Sequence, residues 1–414
     1  MNTNKLRSNT SPFIGHVRTT FVLLLAVVGH FCAGAQGVNF SENNIRQAFQ
    51  LAKAQNKPVF IEVYSKTCSH CASFLPIFQD KKVADFFNQN FINYKIEVQS
   101  NDVRQFMTPR RLFAPSLPLF LFFDPNENLT HFAMSESKVD DIIGHGTTAM
   151  DAKNRASNYR NRYAAGDRND NFLLELGMFG RVVCDTMLNI KAMESYAEKK
   201  PAASYTDNMN WLVLQKLIID ADNPMAAYMV ANMGKYKTKY PAKDVKNVAE
   251  NIIMSTIYSG RGAKFGADKI QRLRNDLVKI GVDSKSANAR TLLPSVNAYF
   301  RTQKTAEAAK RADEYLGLST VTLPDYTYVI KLFNDKATNA SYAPYAIKWS
   351  NRALALIANK NTQDGADAYL ELSEAYLRAG NKVEAKKAAQ KALDAAKAAT
   401  IDLKKFSEML ARVK

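Results

Sequence analysis

Residues 59–76 read VFIEVYSKTCSHCASFLP, and this stretch organises the chain. Val59-Phe60-Ile61-Glu62-Val63-Tyr64 is a short run rich in β-branched and aromatic residues, the composition of a buried strand. Ser65, Lys66 and Thr67 form a polar turn. Cys68-Ser69-His70-Cys71 follows, and then Phe74, Leu75 and Phe78 at helical spacing. Two cysteines separated by two residues at a helix start suit dithiol chemistry, because one turn brings the sulfurs within bonding reach. Unpaired backbone N–H groups and the helix dipole favour a thiolate on Cys68. Lys66 adds positive charge nearby, although a lysine in a turn is as readily a solvated one.

Further residues extend the pattern. Glu62 lies six residues before Cys68 and Pro76 five after Cys71. Leu117-Pro118 opens a second apolar run, Leu119-Phe120-Leu121-Phe122-Phe123-Asp124. A lone C-x-x-C also occurs in zinc ribbons, but Glu62, the dithiol, Pro76 and Pro118 in this order resemble the thioredoxin superfamily over about residues 40–145. The resemblance implies an α/β thioredoxin-like domain with a central mixed sheet flanked by helices. It implies Cys68 as nucleophile, Cys71 as resolving thiol and Glu62 as the buried acid that accepts the Cys71 proton. It also implies a cis Pro118 that, with Leu117, presents backbone to an extended substrate segment. No cofactor is expected beyond the Cys68–Cys71 redox disulfide, and no metal, since no second ligand pair at zinc spacing appears.

Two positions depart from thioredoxin. Thr67 stands where thioredoxin has Trp, which opens the groove. His70 stands where it has Pro. An imidazole inside the dithiol stabilises the thiolate and so makes the disulfide more oxidising. For Glu62 and His70 the alternative is an ordinary solvent-facing side chain.

Lys5, Arg7 and Arg18 precede the apolar run Phe21–Val28, and Ala33-Gly34-Ala35 has the small-x-small form of a cleavage site. Residues 1–35 therefore read as a signal peptide, cleaved after Ala35, and the protein as periplasmic or otherwise exported and not membrane-spanning afterwards. The apolar run is shorter than the roughly 20 residues a span needs. Export places the dithiol where disulfides persist. The net charge is +17, and three basic and no acidic residues lie before the cleavage site, which leaves +14. The lysines are spread over helical faces without aromatic interleaving, so nucleic acid is not an expected partner. Beyond Cys32, the cysteines are 68, 71 and 184, an odd number that argues against a structural disulfide framework. Cys184 falls in a helical pattern with Gly177, Gly180, Met187 and Leu188, and reads as a small buried residue.

Ser41 is the expected N-cap of a helix with Ile45, Ala48, Phe49 and Ala52 on one face, ending near Asn56-Lys57-Pro58. From Val59 the order is β-α-β-α-β-β-α, with strands at Phe91–Val98, Leu119–Asp124 and Leu129–Met134. A short helix at Asp102–Met107 and a closing helix after Ser137 complete it. Beyond about residue 150 only helices are predicted. Breaks fall at Gly166-Asp167, Lys200-Pro201, Asn223-Pro224, Tyr240-Pro241, Ser259-Gly260 and Gly380-Asn381. Leu372, Ser373, Tyr376, Gly380, Asn381, Ala385, Ala389, Ala392 and Leu393 resemble one tetratricopeptide repeat. Ala346, Ser350, Ala353 and Leu354 echo it 39 residues upstream, a longer period than the usual 34.

The expected division is 36–148 thioredoxin-like, 149–290 helical and 291–414 all-α, tetratricopeptide-like. Two functions are open. The first is an exported thiol–disulfide oxidoreductase acting on protein or peptide thiols and disulfides, supplied by a membrane electron donor if it reduces them. The second is an interaction protein whose helical repeats bind a partner protein, with the thioredoxin-like domain as a docking module.

Overall fold

The computed structural model describes residues 37–42 and 44–413, so the expected signal peptide lies outside the described residues. The chain forms two compact units. Residues up to Val103 join Ser116–Asp151, and Arg104–Pro115 join Ala152–Lys414.

In the first unit the elements are β1 (Phe40–Ser41), α1 (Ile45–Gln55), β2 (Val59–Tyr64), α2 (Ser69–Ala72), α3 (Leu75–Gln79) and α4 (Lys81–Asn90). They are followed by β3 (Ile92–Glu97), β4 (Leu119–Phe123), β5 (Leu129–Ala133) and α5 (Val139–Met150). The sheet order is β1-β3-β2-β4-β5. β1 and β2 run parallel to β3, whereas β4 is antiparallel to β2 and β5 to β4. β2 is therefore central and buried on both faces, which explains its near-continuous apolar sequence.

Three expectations change. Ser41 is not a helix cap but a strand residue: it pairs with Tyr94, and its Oγ donates to the Asn93 carbonyl at 3.3 Å. Asn44 caps α1 instead, accepting the Gln47 N–H at 3.2 Å. The helix after the dithiol is not continuous. Pro76 has no N–H to bond the Ala72 carbonyl and its ring crowds that turn, so α2 ends at Ala72 and α3 starts afresh. The segment Val103–Met107 is a single π-helical turn, not an α-helix.

One face of the sheet carries an aromatic layer. The Phe60 ring lies 4.5 Å from Phe87, 5.1 Å from Phe122 and 5.7 Å from Phe120, centroid to centroid. Phe74, Phe78 and Phe91 complete it, with Ile142 of α5 above. These rings hold α2–α4 against β2.

The second unit is helical throughout. Five of the six expected breaks fall between helices, and at the sixth Asn223 caps the helix that Pro224 opens. Its first full-length pair is α7 (Asp170–Val182) and α8 (Thr186–Glu198), after the short α6 (Tyr159–Ala164). A Cβ at Gly180 would sit 2.6 Å from the Asn189 backbone nitrogen, so glycine sets the closeness of this pair. Cys184 is not a buried helical residue. It occupies the turn between α7 and α8 with φ +50° and is half-buried, because Asp185 caps α8 by accepting the Leu188 N–H at 2.9 Å. The loop segment Arg104–Pro115 is bound within this unit: the Phe113 N–H donates to the Val182 carbonyl at 2.8 Å.

Near the C-terminus, helices Gln363–Arg378 and Lys382–Ala398 form a hairpin turned at Gly380, which has φ +78°. Ala385, Ala389 and Ala392 are fully buried, and the Ser373 hydroxyl donates to the Ala385 carbonyl at 2.8 Å. Small side chains at the contact let the two helices approach closely.

Phe60→Ala removes the hub of the aromatic layer. It is expected to cost the first unit about 3–5 kcal/mol, read from urea unfolding.

Candidate active site

The dithiol sits where β2 ends. The Ser65-Lys66-Thr67 turn is closed by its own side chains: the Thr67 N–H donates to Ser65 Oγ at 3.3 Å, and the two hydroxyls lie 3.1 Å apart. Cys68 then takes an extended backbone and caps α2. Its Sγ accepts the Cys71 backbone N–H at 3.1 Å. On its other side Cys68 Sγ lies 3.8 Å from the Leu117 carbonyl. Both thiols are free; Cys68 is partly exposed and Cys71 is buried.

The Leu117–Pro118 peptide is cis. The same Leu117 carbonyl lies 3.3 Å from His70 Nδ1, which donates when it carries the ring proton. His70 is exposed and packs edge-on against Phe74, with centroids 5.5 Å apart. Thr67 is exposed, so no large side chain covers the sulfurs from that position. Cys68, His70, Leu117 and Pro118 therefore meet at one place, with Cys71 beneath.

Glu62 is 2 % exposed. It stands in the register between Lys95 of β3 and Phe120 of β4. Lys95 Nζ lies 3.0 Å from its Oε2. Burial pushes the Glu62 carboxyl above its ordinary pKa, and Lys95 pulls it part of the way back. Burial is also the main reason that the Cys71 thiol is pushed up to about 11. Its hydrogen bond with Cys68 and the Glu62 charge push in the same direction. Sequence reasoning missed Lys95. Its ammonium also lies over the Phe40 ring at 4.5 Å and near Tyr64 at 5.4 Å. The only signal was a lysine at a polar position of the alternating strand Ile92–Val98, and pairing it with Glu62 requires knowing that β3 neighbours β2.

Residues 41–125 match a family described as Thioredoxin-like. This stretch is a thioredoxin-like domain, and a large all-helical region follows it. Among solved structures, the chain is similar to one described as the disulphide isomerase from Xylella fastidiosa Temecula1. That match has 14% identity and a TM-score of 0.20, and covers 29% of this chain and 92% of that one. No curated protein matches the chain. No helix among the described residues is long and apolar enough to cross a membrane.

Two outcomes follow from the shifted groups. In the reduced protein, iodoacetamide followed by peptide mass spectrometry is expected to leave Cys71 unlabelled at mildly alkaline pH. Cys71 reacts only as the pH approaches about 11. Glu62, whose folded pKa is raised, contributes stability below its unfolded pKa, and that contribution is lost as pH rises through the folded value. Lys95→Met removes the cation that opposes the shift, so the Glu62 carboxyl should titrate still higher by NMR.

Proposed function

We propose that this protein is an exported thiol–disulfide oxidoreductase acting on protein or peptide disulfides. The observation that carries the reading is the setting of Cys68 Sγ. It lies between the Cys71 N–H at 3.1 Å and the Leu117 carbonyl at 3.8 Å, with the second thiol buried beneath it.

In the reducing direction, the Cys68 thiolate attacks one sulfur of a substrate disulfide. A mixed disulfide forms and one substrate thiolate leaves. The Leu117–Pro118 backbone lies beside the sulfur and is placed to receive an extended substrate segment. Cys71 then gives its proton to Glu62 and attacks Cys68 Sγ. The Cys68–Cys71 disulfide forms and the second substrate sulfur leaves as thiolate, to be protonated. The reverse sequence oxidises a dithiol. Steady reduction needs a donor that restores the dithiol, which an exported protein would take from a membrane carrier.

The alternative, a binding protein whose helical unit does the work, is favoured by the size of that unit. Replacing both Cys68 and Cys71 with serine separates the two readings: turnover vanishes in the first, and partner binding survives in the second.

Cys68→Ser is expected to abolish disulfide turnover, and Cys71→Ser to trap the mixed disulfide, visible on a non-reducing gel. Glu62→Gln should slow turnover on the order of 10²-fold, the usual worth of a positioned base. In Lys95→Met the rise of turnover with pH should move to higher pH, because the base titrates higher. Equilibration with glutathione buffers should give a potential above the roughly −270 mV of thioredoxin, toward about −180 mV, with His70→Pro lowering it. A parent value at or below that of thioredoxin would refute the oxidising role given to His70.

A further inference from the structure

The helical unit contains a cavity of about 670 Å³ formed where three helices end. They are Ala242–Ile257, Leu292–Arg301 and Leu323–Lys336. Its volume lies within the range of small-ligand sites, roughly 300–1,000 Å³. Ile257, Leu293, Pro294 and Phe300 give it an apolar floor, and Arg301 and Lys336 stand at its edge. No carboxylate lines it. Three other cavities of this unit, of 420–480 Å³, each carry at least one Asp or Glu in the wall.

Among the described residues, no acidic side chain forms an ion pair with Arg301 or Lys336, whereas Arg261, Lys269 and Arg290 nearby are each paired with a carboxylate. Arg301 donates to the Phe265 carbonyl. Both stand in the last turn of their helices, where a positive charge also offsets the dipole. Each helix end contributes only about half a negative charge, however, and the dipole effect fades within a turn, whereas the two side chains present two full charges to the same apolar space. Ser259 and Asn297 add hydrogen-bonding groups to the wall.

We infer that this cavity binds an apolar peptide end bearing a carboxylate, with the side chains on the Ile257–Phe300 floor and the carboxylate between Arg301 and Lys336. A free carboxylate in a partly desolvated site gains charge-assisted hydrogen bonds that an amide cannot. The polar wall groups suit a peptide backbone, which a fatty acid chain lacks. The inference concerns the helical unit alone and goes beyond the dithiol chemistry, so it stands or falls independently of it.

The test is fluorescence anisotropy with the full chain. The probe is a fluorescein-labelled pentapeptide, Leu-Val-Phe-Ala-Leu, with a free C-terminal carboxylate, alongside its C-terminal amide. The carboxylate form should bind, and amidation should weaken it about tenfold or more, the worth of one charge-assisted contact. Arg301→Gln with Lys336→Gln should weaken the free acid equally and leave the amide unchanged. Ala263→Trp, which fills the cavity from its exposed rim, should abolish both. Cys68→Ser should change neither. Equal binding of acid and amide, or full binding by Ala263→Trp, would overturn the inference. So would displacement of the probe by palmitate at lower concentration than by unlabelled peptide, since the site would then be one for lipid.

Discussion

A buried ion pair sits across the middle of an apolar sheet. Glu62 and Lys95 face each other at 3.0 Å on β2 and β3, nearly sealed from water. Isolated, either charge would be very costly there; paired, each lowers the cost of the other. Lys95 also lies over the rings of Phe40 and Tyr64. Replacing the pair with apolar residues could serve the sheet equally well, so stability alone does not call for it. The Glu62 charge acts on Cys71, whose burial already resists ionisation.

Everything above this pair works to place one sulfur. The aromatic layer around Phe60 fixes α2–α4 on the sheet. The break at Pro76 confines the redox turn to four residues, Ser69–Ala72, so Cys68 remains at a helix start, with the Cys71 N–H turned toward it. From the opposite side, β4 begins immediately after Pro118 and brings the Leu117 carbonyl to the same sulfur and to His70. His70 thus bears on the Leu117–Pro118 backbone.

The helical unit obeys a different constraint, the closeness of its helices. Gly180 admits Asn189 of the facing helix, and the alanines of the last hairpin admit Ser373. Larger cores form where rings replace these residues, as around Phe333 and Trp349. At the cavity beside Phe300 the helix ends leave open space, and among the described residues no carboxylate pairs with the two cations that line it.

The sequence by itself determined the elements that depend on local periodicity and on residues with one conformational meaning. The apolar run at Val59, the dithiol after a polar turn, and the Gly and Pro breaks between helices were all legible. Each rests on neighbours in the chain: alternation or helical spacing selects the element, and Gly, Pro and Asn end it. The thioredoxin-like architecture followed from four such landmarks in order. What only the tertiary structure decided was which distant groups share a place. Ser41 reads as a cap until β3 is seen to offer it an edge to pair with. Cys184 fits a helical period, but the cap at Asp185 ends that period one turn early. Lys95 lies 33 residues from Glu62 in the chain, and only the parallel pairing of β2 with β3 makes them partners. The reason is physical: local propensity acts over one or two turns, whereas the charge a carboxylate meets in a core is set by the strand that happens to lie beside it.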